Sequence, residues 1–69
     1  MKLSARNQLK GKVVSVKKGA TTAQVAVELS GGQLVTSSIT NEAVEDLGLK
    51  KGQAVLVVIK ASDVMIATE

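Results

Sequence analysis

Two short stretches near opposite ends of the chain consist largely of hydrogen-bond donors. The first, Ser4–Gly11, reads SARNQLKG, and the second is Lys60-Ala61-Ser62. Their polar side chains comprise two hydroxyls, two amides, two ammonium groups and one guanidinium, and none of them is a carboxylate. Every one of these groups can donate a hydrogen bond. The set therefore suits a small, fully deprotonated oxyanion better than a metal cation or a reacting carbonyl.

The residue types that the chain lacks exclude several kinds of chemistry. There is no cysteine and no histidine, so neither a cysteine nucleophile nor a serine–histidine pair is available, and a structural zinc site is not expected. A site for a metal cation would need carboxylates alone, and no general acid–base pair is apparent. The carboxylates are Glu28, Glu42, Glu45, Asp46, Asp63 and Glu69. We therefore predict a binding protein and not an enzyme, with no catalytic residue, no metal-cation site and no organic cofactor.

Length and composition predict one small domain over residues 1–69. Because the chain has no aromatic residue, its core must be built from Val, Ile, Leu, Ala and Met. A core of this size rarely contributes more than about 3–5 kcal/mol of net stability. With no disulfide available, we expect oligomerisation to supply the remainder, and a small β-fold that is stable alone is the alternative.

Nothing in the chain predicts a membrane segment or a secretory signal. No apolar run approaches the roughly 20 residues that a membrane-spanning helix needs. Met1-Lys2-Leu3 leads directly into polar sequence, unlike the start of a signal peptide. We expect a soluble cytoplasmic protein with no membrane partner.

The net charge of +3 is unevenly distributed along the chain. The basic residues that precede Glu28, the first acidic residue, are Lys2, Arg6, Lys10, Lys12, Lys17 and Lys18. A basic N-terminal third is compatible with nucleic acid, an anionic surface or a small anion. For Lys12, Lys17 and Lys18 it is equally compatible with a solvated strand face, so charge alone does not decide the function.

The hydrophobic pattern predicts an all-β fold, mainly β with one short helix. Strands are predicted at about residues 12–17, 22–29, 33–40, 53–59 and 64–67, the first of them beginning after Gly11 or earlier. The helix is predicted from about Asn41 to Leu47, with Thr40 or Asn41 as N-cap and Gly48 as its end. Five strands with a short helix before the fourth describe a five-stranded OB-like barrel.

The fourth predicted strand contains an apolar run without a polar break, from Ala54 to Ile59. Such a run is typical of a central strand that is buried on both faces. In a chain this small, burial on both faces implies that a partner subunit covers one of them.

An OB-like barrel is also compatible with a nucleic-acid-binding module that uses the basic N-terminal third. OB-folds of that kind stack bases on aromatic side chains, which contributes about 1–3 kcal/mol per base, and this chain has none. Lysines alone would give only salt-sensitive, non-specific binding. Nucleic-acid binding is therefore the second hypothesis, and a purely structural assembly is the third.

The string SARNQLKG, followed by a β-rich domain that closes on IKAS, resembles the Mop family, the molbindins, over almost all of the chain. The resemblance implies a cytoplasmic protein that binds molybdate, and also tungstate, for intracellular molybdenum storage or homeostasis. It also implies a homo-oligomer, a hexamer built as a trimer of dimers, with the anion sites between subunits.

The resemblance assigns the molybdate site residue by residue. Five ligands come from one chain and the last from a neighbour: Ser4, Arg6, Lys60, Ala61 (through its backbone), Ser62 and Thr40. Ala5, Asn7 and Gln8 belong to the same motif and are weaker candidates, and for the two amides a bracing role is favoured. Asp63 departs from a donor-only pattern, and we expect it to point away from the site.

A donor-only site would also discriminate between oxyanions. Molybdate at neutral pH is a dianion whose oxygens only accept hydrogen bonds, whereas monoprotonated phosphate carries an O–H that needs an acceptor. In a site without acceptors that proton would be left unsatisfied, so we expect phosphate to be disfavoured.

Overall fold

The computed structural model describes all residues from Met1 to Glu69, and its main feature is an antiparallel sheet of four strands that curls into half of a barrel. The strands are β1 (Asn7–Lys18), β2 (Thr22–Leu29), β3 (Leu34–Thr40) and β4 (Ala54–Ile59). One α-helix, α1 (Asn41–Leu47), lies between β3 and β4, and a single 3₁₀ turn over Ala61–Asp63 follows β4. The spatial order is β3-β2-β1-β4, so β3 and β4 form the two edges. A mainly β fold with one short helix is thereby confirmed.

β1 is the strand on which the sheet is built, because both β2 and β4 pair with it. Residues 7–12 of β1 pair with β4, and residues 11–18 pair with β2. A register shift between Val13 and Ser15 marks a β-bulge in the pairing with β2. A bulge bends its strand and increases the local twist. One long strand can therefore pair with β4 in its first half and with β2 in its second half while the sheet curls.

A small aliphatic core lies on one face of the sheet. Its buried residues are Val13, Ala23, Val25, Val27 and Val44. Three of them alternate along β2, as the period-two pattern predicts, and Val44 is contributed by α1. With only five of 69 residues buried, the single chain has little apolar burial to offset the entropy of folding.

The helix occupies its predicted residues and is capped at both ends. Thr40 is the N-cap. At the other end Gly48 is left-handed (φ 61°), its N–H donates to the Glu45 carbonyl at 3.1 Å, and the N–H of Leu49 donates to the Val44 carbonyl at 3.0 Å. This pair of bonds is a Schellman motif, which favours glycine because glycine has no Cβ. No helix of this structure is long and apolar enough to span a membrane.

β4 is an edge strand, whereas its apolar run predicts a central one. Alternate side chains of β4 face the core and are half-buried, and the others face outward and are exposed. The exposed ones are Ala54, Leu56 and Val58. The predicted central position is therefore wrong, whereas cover of the outer face by a partner subunit stays a prediction, because no second layer of the same chain lies on that face.

The predicted fifth strand over Val64–Ala67 is absent, so the single chain does not form a closed five-stranded barrel. The 3₁₀ turn ends the extended backbone after β4, and in it the N–H of Asp63 donates to the Lys60 carbonyl at 2.9 Å. Beyond the turn the chain pairs with neither sheet edge, and Met65 and Ile66 are 92% and 85% exposed. A local pattern can favour an extended segment, but a strand also needs an edge beside it to satisfy its backbone groups.

The open side of the half-barrel carries an apolar groove of about 410 Å³. Hydrophobic side chains make up 11 of its 13 lining residues. These lining residues include Ile39 of β3, Val57 of β4 and Val27 of β2. The two free edges of the sheet therefore border one uncovered apolar surface.

Gly11 lies in close contact with β2, and this contact generates a prediction. A Cβ atom here would stand 2.6 Å from Val27 Cγ1 and 2.7 Å from the Glu28 carbonyl oxygen. We expect Gly11→Ala to lower the free energy of unfolding by about 1–3 kcal/mol, because the overpacked strands must shift. Urea unfolding would measure the change.

The control is Gly31→Ala, since the nearest heavy atom to a Cβ at Gly31 is 3.9 Å away. Its stability should stay within about 0.5 kcal/mol of the wild type. Equal stability of the two variants would contradict the close approach at Gly11.

Candidate functional site

The two donor-rich segments meet at one end of the ladder that β1 forms with β4. Asn7, the first residue of β1, pairs with Ile59, the last residue of β4. Arg6 precedes Asn7 and Lys60 follows Ile59, so each cation stands immediately beyond the last rung. The fold thereby joins segments that lie 52 positions apart at this rung.

If the register of the β1–β4 ladder is extended past its last rung, residues of the same type stand opposite each other in the two segments. The residues that would then stand opposite each other are Arg6 and Lys60, Ala5 and Ala61, and Ser4 and Ser62. We call Ser4–Arg6 the N-terminal arm and Lys60–Ser62 the C-terminal arm. Like charges directly opposite each other destabilise an antiparallel pair, and the ladder stops at the rung before the two cations.

Two side-chain amides hold the N-terminal arm in place. Gln8 Nε2 donates to the Ala5 carbonyl at 3.3 Å, which spans the bend between Ser4 and Arg6. Asn7 Nδ2 donates to the Ile59 carbonyl at 3.2 Å, across to β4. Both amides thus bond to backbone carbonyls, and Ala5, the third of the weaker candidates, is half-buried.

A single 3₁₀ turn shapes the C-terminal arm. The N–H of Asp63 bonds to the Lys60 carbonyl, and the N–H of Val64 donates to the Ala61 carbonyl at 3.3 Å. The N–H groups of Ala61 and Ser62 come first in the turn and have no acceptor within the chain. The arm therefore offers two backbone donors beside the Lys60 ammonium.

The cations of the two arms are unpaired within the chain. Arg6 and Lys60 are exposed, and the only ion pair joins Lys18 to Glu45 at 3.5 Å, at the far end of β1. Asp63 is exposed and forms no ion pair with Lys60. No three acidic side chains lie close enough together to hold a metal ion. The arms therefore form a positive, donor-rich surface that suits an anion.

Thr40 is not brought to the arms by the single chain. It ends β3 and pairs with Thr22, at the end of the sheet where β1 reaches Lys18. β1 has 12 residues, and at a rise of about 3.3 Å per residue its two ends lie roughly 35 Å apart along the strand. A Thr40 hydroxyl can therefore join these arms only from another chain.

Thr40 has a structural role in its own chain. Its Oγ1 accepts a hydrogen bond from the N–H of Ala43 at 3.0 Å, which caps α1. Asn41 ties the same helix start to the turn after β1, because its Nδ2 donates to the Gly19 carbonyl at 3.0 Å. Since Thr40 accepts through its oxygen, the hydroxyl hydrogen stays available to a further acceptor.

The apolar groove is a different surface from the two arms. None of the arm residues lines the apolar groove. The groove suits an apolar chain segment, whereas the arms are open to solvent in the single chain. A ligand held by the arms alone would be exposed on one side.

The order of residue types in the two arms is a sequence signal that was not used to predict their pairing. The N-terminal arm reads Ser-Ala-Arg and the C-terminal arm reads Lys-Ala-Ser, which is the reverse order of the same residue types. Antiparallel strands bring reversed sequences into register, so this inverted repeat is a readable signal that the two segments lie side by side.

Comparison with known proteins shows that the chain is similar to proteins named for binding molybdenum or molybdate. A profile of the TOBE domain matches residues 3–66. "Molybdenum-pterin-binding protein 3" of Clostridium pasteurianum is 59% identical over 66 residues, which are 96% of this chain and 97% of that protein. A solved molybdate-binding protein from Sporomusa ovata is 31% identical, with a TM-score of 0.93 over 99% of this chain and 100% of that one. The cytoplasmic molybdate-binding protein ModG, solved with molybdate bound, is 49% identical, with a TM-score of 0.91 over 94% of this chain and 46% of that one.

The cap at Thr40 generates a prediction that is independent of any ligand. Thr40→Ala removes the acceptor for the N–H of Ala43, so it should lower the free energy of unfolding by about 1 kcal/mol. Thr40→Ser keeps the hydroxyl and should remain close to the wild type. Urea unfolding of both variants distinguishes the cap from packing of the threonine methyl group, which would make the two losses equal.

Proposed function

This chain belongs to the TOBE domain family, and we propose that it is a Mop protein that binds molybdate, and also tungstate, without carrying out a reaction on it. The resemblance to Mop proteins carried by SARNQLKG is confirmed by the comparisons. The similar proteins are named for binding molybdenum or molybdate and not for a catalysed reaction. The observation that supports the proposal most directly is the meeting of the two donor arms at the open end of the β1–β4 ladder.

The two arms match the chemistry of a tetrahedral dianion. Arg6 and Lys60 both stand beside the last rung, and an anion between them would offset their mutual repulsion. Each hydrogen bond to a charged ligand is worth about 1.5–3 kcal/mol. The hydroxyls of Ser4 and Ser62 and the N–H of Ala61 would add directional donors around the same oxygens.

The site is open within one chain, and we propose that a neighbouring subunit completes it. Thr40 is the remaining proposed ligand and lies at the opposite end of its own sheet. Its hydroxyl hydrogen is free to donate while its oxygen caps α1. The Mop family resemblance supplies the form of the assembly, a homohexamer built as a trimer of dimers with its anion sites between subunits.

Exposed apolar surface supports such an assembly. The groove between the edges of β3 and β4 has no cover in the single chain, and the segment after the 3₁₀ turn exposes Val64, Met65 and Ile66. We propose that this segment of a second copy enters the groove and pairs there as the fifth strand. An OB-like barrel of five strands would then be completed between subunits and not within one chain.

The proposed setting is the cytoplasm, where the protein would store or buffer molybdenum. The description of ModG as a cytoplasmic protein supports this location. Residues 1–69 would act as one domain, since the chain covers nearly the whole length of the Clostridium pasteurianum and Sporomusa ovata proteins. The anion would be held by side chains and backbone N–H groups alone, with no organic cofactor.

Nucleic-acid binding gains no support from the structure. The sheet has no aromatic side chain on which a base could stack. Of the basic residues of β1, Lys18 is engaged with Glu45, and Lys12 and Lys17 are exposed on a strand face.

The direct test is titration calorimetry of the purified protein with molybdate and with phosphate at neutral pH. We expect molybdate to bind and phosphate to bind at least about tenfold more weakly, because its O–H finds no acceptor. Elemental analysis of the protein together with its mass in solution would give the stoichiometry and the assembly. Phosphate binding comparable to molybdate binding, or no binding of molybdate, would contradict the proposal.

Arg6 should be essential to affinity and dispensable for folding. Arg6→Ala removes charge-assisted hydrogen bonds worth about 1.5–3 kcal/mol, so molybdate binding should weaken by about 10- to 100-fold. Lys12→Ala removes another exposed cation, one that lies within β1 and outside the two arms, and is the matched control. If both variants lose affinity equally, the effect is one of net charge, and Arg6 is not a ligand.

A further inference from the structure

Asn7 makes the only side-chain hydrogen bond between β1 and β4, the strands that lead into the two arms. Its Nδ2 donates to the Ile59 carbonyl at 3.2 Å, and the bond is partly buried. Asn7 is the neighbour of Arg6 along the chain, and Ile59 is the neighbour of Lys60. One hydrogen bond thus holds the backbone immediately behind both cations.

This bond is placed where the ladder is weakest. The terminal rung of a sheet opens more readily than the rungs inside it, and here two like charges lie directly beyond that rung. Asparagine is disfavoured in strands, so its presence as the first residue of β1 is not explained by strand propensity. Its side-chain bond across the rung supplies a reason.

Gln8 braces the same region from the opposite face of the sheet. Successive side chains of a strand point to opposite faces, and Asn7 is half-buried while Gln8 is exposed. The Gln8 amide bonds to Ala5, within its own arm. Gln8 therefore shapes one arm, whereas Asn7 fixes the two arms relative to each other.

We propose that Asn7 is a positioning residue of the molybdate site, an inference that rests on the proposed function. Asn7 ties together the backbone next to Arg6 and Lys60, and its own side chain is bonded to the Ile59 carbonyl and is not a ligand of the anion. Without this bond the anion must order both arms as it binds. The cost of that ordering is subtracted from the binding free energy.

The test measures molybdate affinity by titration calorimetry in two variants of Asn7. Asn7→Ala removes the amide, and Asn7→Leu removes the donor while keeping a side chain of similar size, so that packing is retained. Both should bind molybdate about five- to tenfold more weakly than the wild type, the loss expected for one hydrogen bond. Gln53→Ala is the matched control, because its Oε1 accepts from the N–H of Lys50 at 3.1 Å at the other end of β4. It should bind within about twofold of the wild type.

A double-mutant cycle distinguishes positioning from a general loss of structure. If Asn7 acts through the cations, Asn7→Leu should weaken binding much less in an Arg6→Ala background than in the wild type, because interacting residues are non-additive. Losses that simply multiply would overturn the proposal, and so would Asn7 variants that bind as the wild type does. Failure of the wild type itself to bind molybdate would overturn the proposed function as well, so the two failures are distinguishable.

Discussion

Two cations held just beyond the last rung of an antiparallel ladder are the feature on which the rest of this structure depends. Arg6 and Lys60 would face each other if the β1–β4 ladder continued, and such a pairing is unfavourable. The strands must therefore hold the two charges close together without pairing them. An anion between them relieves the repulsion, so the charges that weaken the empty end of the sheet would stabilise the occupied one.

The eight residues from Ser4 to Gly11 have three different roles in this site. In the proposed site Ser4 and Arg6 would offer donors to the anion, and the two amides that follow them bond to the backbone carbonyls of Ile59 and Ala5. Gly11, at the end of the motif, lets β1 approach β2 more closely than any side chain would allow. Recognition, bracing and packing thus follow one another along eight consecutive residues, from the N-terminal arm into β1, and so the motif is recognisable as a unit.

Assembly and ligand binding are connected through the last part of the chain. β4 exposes Leu56 and Val58 on its outer face, leads into the C-terminal arm, and is followed by the exposed residues Met65 and Ile66. A chain with five buried residues gains little stability alone. In the proposed hexamer, the contacts that close the barrel and those that bring a neighbour's Thr40 to the arms would arise together, so anion binding would favour the assembled state.

The sequence alone determined the features that depend on neighbours along the chain. These are the alternation of β2, the helix with its caps at Thr40 and Gly48, and the donor set of the two arms, because periodicity, capping and side-chain chemistry are local. Only the tertiary structure decided that Asn7 meets Ile59, that β4 is an edge, that residues 64–67 form no strand, and that Thr40 lies far from Arg6. Strand pairing joins segments that are distant in sequence. An apolar segment has the same sequence pattern whether it is buried by its own chain or by another.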